Sequence, residues 1–226
     1  MRQLSQLACV LFVLSVSVRS VDAQTFRFLD LQMRKNQEFT EEFANDGRDG
    51  NTLDGMPMGE QEMAGVKFKI GKGVVHLGST VQKNRPEKVE GISVGGPFLK
   101  LHILHATQYG GGPNKEGAPW YVEDGTSIGE YKINYEDKSS ETIPIVYGKD
   151  VRDWWFREDE AGVSRGKVAW TGDNDLAKKY DCRLRLYLAT WENPHPEKKV
   201  VTIDYISKKK VTVASPFCVA ITLENQ

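Results

Sequence analysis

Alternation with a period of two runs through this chain and sustained 3.6-residue periodicity does not, which points to sheet rather than helical architecture. Val66, Phe68 and Ile70 alternate with Lys67 and Lys69, the pattern of a strand with one buried face. Tyr131, Ile133 and Tyr135 alternate with Glu130, Lys132 and Asn134, and Leu184, Leu186 and Leu188 with Arg183, Arg185 and Tyr187. Near the end Phe217, Val219, Ile221 and Leu223 alternate with Cys218, Ala220 and Thr222. Phe98 to Ala106 and Val200 to Ile206 are apolar on both faces and read as central strands. Turn-formers separate these runs: Gly71-Lys72-Gly73, Gly110-Gly111-Gly112-Pro113, Glu123-Asp124-Gly125 and Asn193-Pro194-His195-Pro196. Many short strands so punctuated predict an all-β fold, a sandwich or barrel. One short helix is expected over Asp175 to Tyr180, with Asp173 or Asn174 as its N-cap. No Pro- or Ser-rich linker, repeat or low-complexity tract interrupts the pattern, so a single domain is expected.

The first residues have the layout of an export signal. Arg2 precedes an apolar run from Leu7 to Val18, shorter than the roughly 20 residues that cross a bilayer. Small side chains at the −3 and −1 sites of Val21-Asp22-Ala23 place cleavage after Ala23. Removing 23 of the 226 residues leaves 203, spanning 24–226, enough for one β-sandwich with a real core. No second apolar stretch is long enough to span, so the expected product is exported, periplasmic or extracellular, without a membrane span. Thirty basic and 31 acidic residues nearly cancel, which argues against a dedicated nucleic-acid binder. The run Lys208-Lys209-Lys210 reads as a solvated turn between strands. Cys9 leaves with the signal. Cys182 and Cys218 remain, either bridged, as an oxidising compartment allows, or buried as free thiols within strands.

Several short blocks occur in a suggestive order. They are Leu101-His102-Ile103-Leu104-His105-Ala106, Tyr131-Lys132-Ile133-Asn134-Tyr135, and Ile145-Val146-Tyr147-Gly148-Lys149-Asp150. Asp153-Trp154-Trp155, Val168-Ala169-Trp170-Thr171-Gly172 and Trp191-Glu192-Asn193-Pro194 follow. The chain resembles, over residues 26–224, the galactose-binding-like jelly-roll β-sandwich modules that accompany secreted bacterial glycoside hydrolases. The resemblance implies a single jelly-roll-type sandwich with little helix. It also implies a non-catalytic carbohydrate-binding role, with an extracellular glycan or a secreted glycoside hydrolase as partner. Such modules usually sit beside a catalytic domain, and none is recognisable in this chain.

Aromatic residues are the leading candidates for a glycan site, because sugar rings present C–H patches that stack on Trp and Tyr while carboxylates and amides bond the hydroxyls. Trp154 and Trp155 are adjacent, so in an extended segment they point to opposite faces, one into the core and one outward. Asp150, Arg152 and Asp153 lie beside them. Trp170 precedes a turn carrying Asp173 and Asn174. The expected ligand-binding set is therefore Trp154, Trp155, Trp170, Asp150, Asp153 and Asn174. Trp191, before a Pro-rich turn, reads as structural, while Tyr109 and Trp120 flank the glycine loop. The segment Asn45 to Asn51 crowds oxygen ligands into a glycine-rich loop, as Ca²⁺ prefers, and modules of the resembled fold often hold a structural calcium near their N-terminal loop. Asp46 and Asp49 are its candidate ligands, although no Glu stands at the twelfth position as in an EF-hand.

Other chemistries find less support. His102 and His105, three apart in a strand, face opposite sides and cannot chelate one ion, so a zinc site is not expected. The glycine run leads into no recognisable helix and is not a phosphate loop. No nucleophile elbow is present. Asp150 with Asp153, or Asp173 with Asp175, are the carboxylate pairs a polysaccharide hydrolase or lyase would draw on. A structural or adhesive envelope protein on the same fold is the remaining alternative.

Overall fold

The computed structural model describes residues 25–44, 46–111 and 120–225. The expected export signal lies outside them, as do Asn45, Gly112 and Pro113. In chain order the strands are β1 (Thr25–Phe28), β2 (Gln37–Glu38), β3 (Gly59–Met63), β4 (Val66–Ile70), β5 (Gly73–His76), β6 (Lys88–Gly96) and β7 (Lys100–Gln108). There follow β8 (Ser127–Tyr135), β9 (Ser140–Val146), β10 (Trp155–Phe156), β11 (Lys167–Gly172), α1 (Asp175–Lys179), β12 (Arg183–Glu192), β13 (Val200–Ser207) and β14 (Ser215–Asn225). The ladders between them are antiparallel.

An eight-stranded sheet runs β10-β12-β7-β14-β5-β2, with β1 laid along β14 and β11 along β12. A four-stranded sheet, β6-β13-β8-β9, packs against it, and the β3–β4 hairpin forms a small third sheet. The result is an all-β sandwich of curled sheets, compatible with a jelly roll. Among the described residues α1 is the one helix. Asn174 is its N-cap, accepting from the Ala177 amide at 2.7 Å, which decides between the two expected caps. The β3–β4 turn places Ala64 and Gly65 both at positive φ, the geometry of a two-residue hairpin that matches strand twist.

The alternation of β4 is as expected, with Val66, Phe68 and Ile70 buried between exposed lysines. In β12 and β14 the sequence pattern understates burial. Arg185 and Tyr187 were expected to face solvent, yet both are buried. Arg185 stacks on Phe156 at 4.8 Å and pairs with Glu160 at 2.6 Å, so its charge is matched. In β14 the second face, Cys218, Ala220 and Thr222, is buried as well. The hairpin covers part of that strand, and Thr222 Oγ1 donates to the Lys67 carbonyl at 2.8 Å. Strand β13 corrects the reading of Val200 to Ile206 as apolar on both sides. It is central by pairing, between β6 and β8, but one face is solvated and Val201 is exposed. Cys182 and Cys218 are free, buried thiols.

The outer strand β6 has its backbone covered by side chains from the N-terminal segment. Arg34 Nη2 donates to the Gly91 carbonyl at 3.0 Å, and Arg27 Nη1 donates to the Val94 carbonyl. The opposite outer strand, β9, carries Pro144. No helix among the described residues is long and apolar enough to cross a membrane.

His76 and His105 are wholly buried, and burial pushes their imidazoles down to about 3 and about 4. An unfolded imidazole binds its proton near pH 6.5, whereas these two stay neutral in the fold until well below that value. Unfolding therefore takes up protons in this window, and through these groups stability falls as pH drops from about 6.5 toward 4. Thermal melts across that range should show a declining Tm, and His76→Phe should make the decline shallower. An unchanged slope in that variant would refute the assignment.

Candidate functional site

At the end of β7 the chain turns outward. Tyr109 adopts a left-handed backbone (φ 55°), and Gly110 follows in a space where a Cβ would come within 2.6 Å of the Tyr147 ring. The segment after β9 returns beside this turn. Thr107 and Asp153 form a parallel bridge, the Trp154 amide donates to the Thr107 carbonyl at 2.9 Å, and the Arg185 amide donates to the Trp154 carbonyl at 2.7 Å. Asp153 fastens the two segments together. Its Oδ2 accepts from the Gly110 amide at 2.7 Å and its Oδ1 from the Trp155 amide at 2.8 Å. Burial pushes the Asp153 carboxyl up to about 6, against the pull of those two amides.

The adjacent tryptophans separate as the extended backbone requires. Trp154 enters the core, stacked on Phe43 with centroids 4.7 Å apart and edge-on to Phe217. Trp155 stays half-buried and faces a pocket of about 260 Å³. Its ring N–H donates to Asn51 Oδ1 at 3.1 Å, and its ring lies 5.9 Å from that of Tyr180. Asn51 is held from both sides. Glu42 accepts from the Gly50 and Asn51 amides at 2.7 Å each, and Asn174 Nδ2 reaches Asn51 Oδ1 at 3.3 Å. Tyr109 and Trp120 meet edge to face at 5.3 Å and form another wall.

Two guanidinium groups complete the lining. Arg48 donates to the Tyr180 hydroxyl at 3.2 Å and lies over its ring, while holding Asp46 in a two-pronged ion pair. Arg157 donates to the Tyr180 and Asp181 carbonyls at 2.9 and 3.3 Å and makes no ion pair among the described residues. The pocket thus joins aromatic surface to two side-chain amides, Asn51 and Gln108, two guanidinium groups and a carboxylate.

The six expected ligand-binding residues do not converge. Trp155 and Asp153 line this pocket, and Trp154 forms part of its floor from within the core. Asn174 stands behind it as helix cap and support for Asn51. Asp150 lies elsewhere, gripped by Arg165 at 2.6 and 2.7 Å and accepting from the Val146 amide at 2.7 Å. Trp170 packs partly buried on β11, with its ring over Gly172. Asp150 and Asp153 therefore do not form a pair, and Asp173, half-exposed, sits 3.7 Å from Arg183. Asn51, Arg48, Arg157, Gln108 and Tyr180 complete the lining without having been singled out as ligand contacts, whereas Tyr109 and Trp120 had been noted beside the glycine loop.

The loop proposed for calcium does not fit that ion. The Asp46 carboxylate is occupied by Arg48, a fixed positive charge where a cation would sit, and this contact lowers its pKa. Asp49 is exposed, and the described residues hold no group of three His, Cys, Asp or Glu arranged for a metal. Compared with family models and with curated proteins, the chain matches none.

Truncating Trp154 should cost about 3–5 kcal/mol of unfolding free energy through the cavity left behind, whereas Trp120→Ala should stay within about 0.5 kcal/mol. Denaturant titration of both variants checks this, and equal losses would contradict the division into floor and wall. Asp153 also carries a pH signature. Its folded pKa lies above the unfolded value of 3.8, so the unfolded chain gives up this proton first and Asp153 weakens the fold as pH rises from about 4 to 6. The Tm difference between Asp153→Asn and wild type should therefore move in the variant's favour over that interval. A constant difference would mean that the carboxyl is ionised throughout.

Proposed function

We propose that the protein is an exported, non-catalytic carbohydrate-binding module that holds an extracellular glycan in the Trp155 pocket. The observation that carries this reading is the lining itself. Trp155, Tyr180, Trp120 and Tyr109 supply aromatic surface for the C–H side of a sugar ring, while Asn51, Arg48 and Arg157 supply amide and guanidinium groups for its hydroxyls. The volume of about 260 Å³ suits a terminal or single sugar ring better than a long stretch of chain. The sandwich architecture and the order of the sequence blocks agree with the galactose-binding-like modules, and a secreted glycoside hydrolase is the partner that likeness suggests.

Binding is favoured over hydrolysis by the state of Asp153. Both of its oxygens accept backbone amides, so the carboxylate is committed to fastening the Gly110 turn. Glycoside hydrolysis needs one carboxyl to deliver a proton and a second to attack or activate water.

Affinity electrophoresis through soluble polysaccharides, followed by a glycan array, tests the reading. Wild type should be retarded by at least one glycan. Trp120→Ala and Trp155→Ala should each weaken that binding by about 1–3 kcal/mol, the scale of losing a large apolar contact. Retention by none of them, or retention that survives both substitutions, would overturn it.

A further inference from the structure

A second cavity lies between the two sheets, away from Trp155, and has a volume of about 250 Å³. Strand alternation builds it. Ile103 and His105 of β7 share a face with Ala189 and Trp191 of β12, since Ala189 pairs with Ile103 across the ladder. From the other sheet come Tyr131 of β8 and the β9 residues Ile143 to Ile145. Ala189 is the smallest of the residues that line it. The floor is out of water, with Ile103, His105 and Tyr131 at 2% exposure or less. Thr142, Pro144 and Arg165 are exposed, so the opening lies on their side, beside the Arg165–Asp150 ion pair.

The floor contains an unmet hydrogen bond. His105 Nδ1 lies 3.3 Å from the Tyr131 hydroxyl, while its Nε2 is buried without a partner in the protein. An orphaned polar atom of this kind costs free energy unless something fills its place. The space exceeds what one water needs, and a dry cavity of roughly 150 Å³ already accepts a benzene ring.

We propose that this inter-sheet cavity is a binding site for a small, neutral, mostly apolar molecule that carries one hydroxyl, which meets His105 Nε2 while its apolar body packs on Ile103, Ile143, Ala189 and Trp191. A hydroxyl suits either tautomer, because it both donates and accepts. A charged ligand does not suit the floor, since burial keeps His105 neutral and the nearby Asp150 carboxylate is taken by Arg165. The Arg165–Asp150 pair closes on itself with two hydrogen bonds, and so leaves the rim polar without claiming an ionic ligand.

NMR titration of the protein with 4-methylphenol and with toluene tests the site, since the two share an apolar body and differ by the hydroxyl. Wild type should bind 4-methylphenol about tenfold more tightly than toluene, the scale of one buried hydrogen bond. His105→Phe should bring the two affinities together, and Ala189→Leu, which fills the space, should remove both. Trp155→Ala should leave them unchanged, which separates this site from the glycan pocket. If neither compound binds, the cavity holds water alone and the proposal fails. Equal wild-type affinities, or binding that survives Ala189→Leu, would also overturn it.

Discussion

Strand β14 is buried along almost its whole length, and its backbone groups must be satisfied away from water. It meets this by pairing with β7 on one side and with β5 and then β1 on the other. Its side chains fill both faces, with Phe217 against Trp154 and Phe43, and Cys218 near the Tyr131–Tyr205 stack. The rest of the sandwich is positioned by this strand. Strand β7 fixes β12 by its register, and β12 in turn places β10 and the tryptophan pair. The pocket and the inter-sheet cavity are thus set by one ladder, at different distances from its centre.

How far the sequence reveals this depends on whether a feature is local or long-range. Alternation located β4, β8 and β12, and the adjacency of Trp154 and Trp155 implied one inward and one outward ring. The cap was legible to within one residue, Asp173 or Asn174, because capping is a contact three residues long. Burial of Arg185 and Tyr187 was not, because a polar residue on an alternating strand looks solvated until Phe156 and Glu160 arrive from elsewhere in the chain. The pocket was half legible for the same reason. Trp155 and Asp153 are near neighbours, but Asn51 reaches Trp155 across 104 positions, and Arg48 reaches Tyr180 across 132. Those meetings are products of topology, and no spacing rule encodes them. Asp150 does not join that pocket, and its sequence neighbours gave no hint that Arg165 would claim it.

Electrostatics follow the same division. Charges on the rim, such as the Lys88–Glu90 and Lys199–Glu136 pairs, sit in water and contribute little to stability. The inner ones are arranged with full partners: Asp150 has a guanidinium and an amide, and Arg185 has a carboxylate and two aromatic faces. Asp153 is the exception that shapes the site. Its raised pKa records a charge kept out of water, and its amide contacts record what that charge holds in place.

The arginine contacts on β6 bear on how copies of this chain meet. An outer strand offers a row of backbone carbonyls and amides that invites strand addition by another molecule, the first step toward ordered aggregates. Arg34 and Arg27 occupy the Gly91 and Val94 carbonyls on that strand, and on the other side of the sheet Pro144 withholds an amide from β9. Both open borders of the four-stranded sheet are thereby poor templates. The guanidinium groups come from the segment that carries β1, so protection from edge-to-edge polymerisation is complete only once the N-terminal end of the domain has docked.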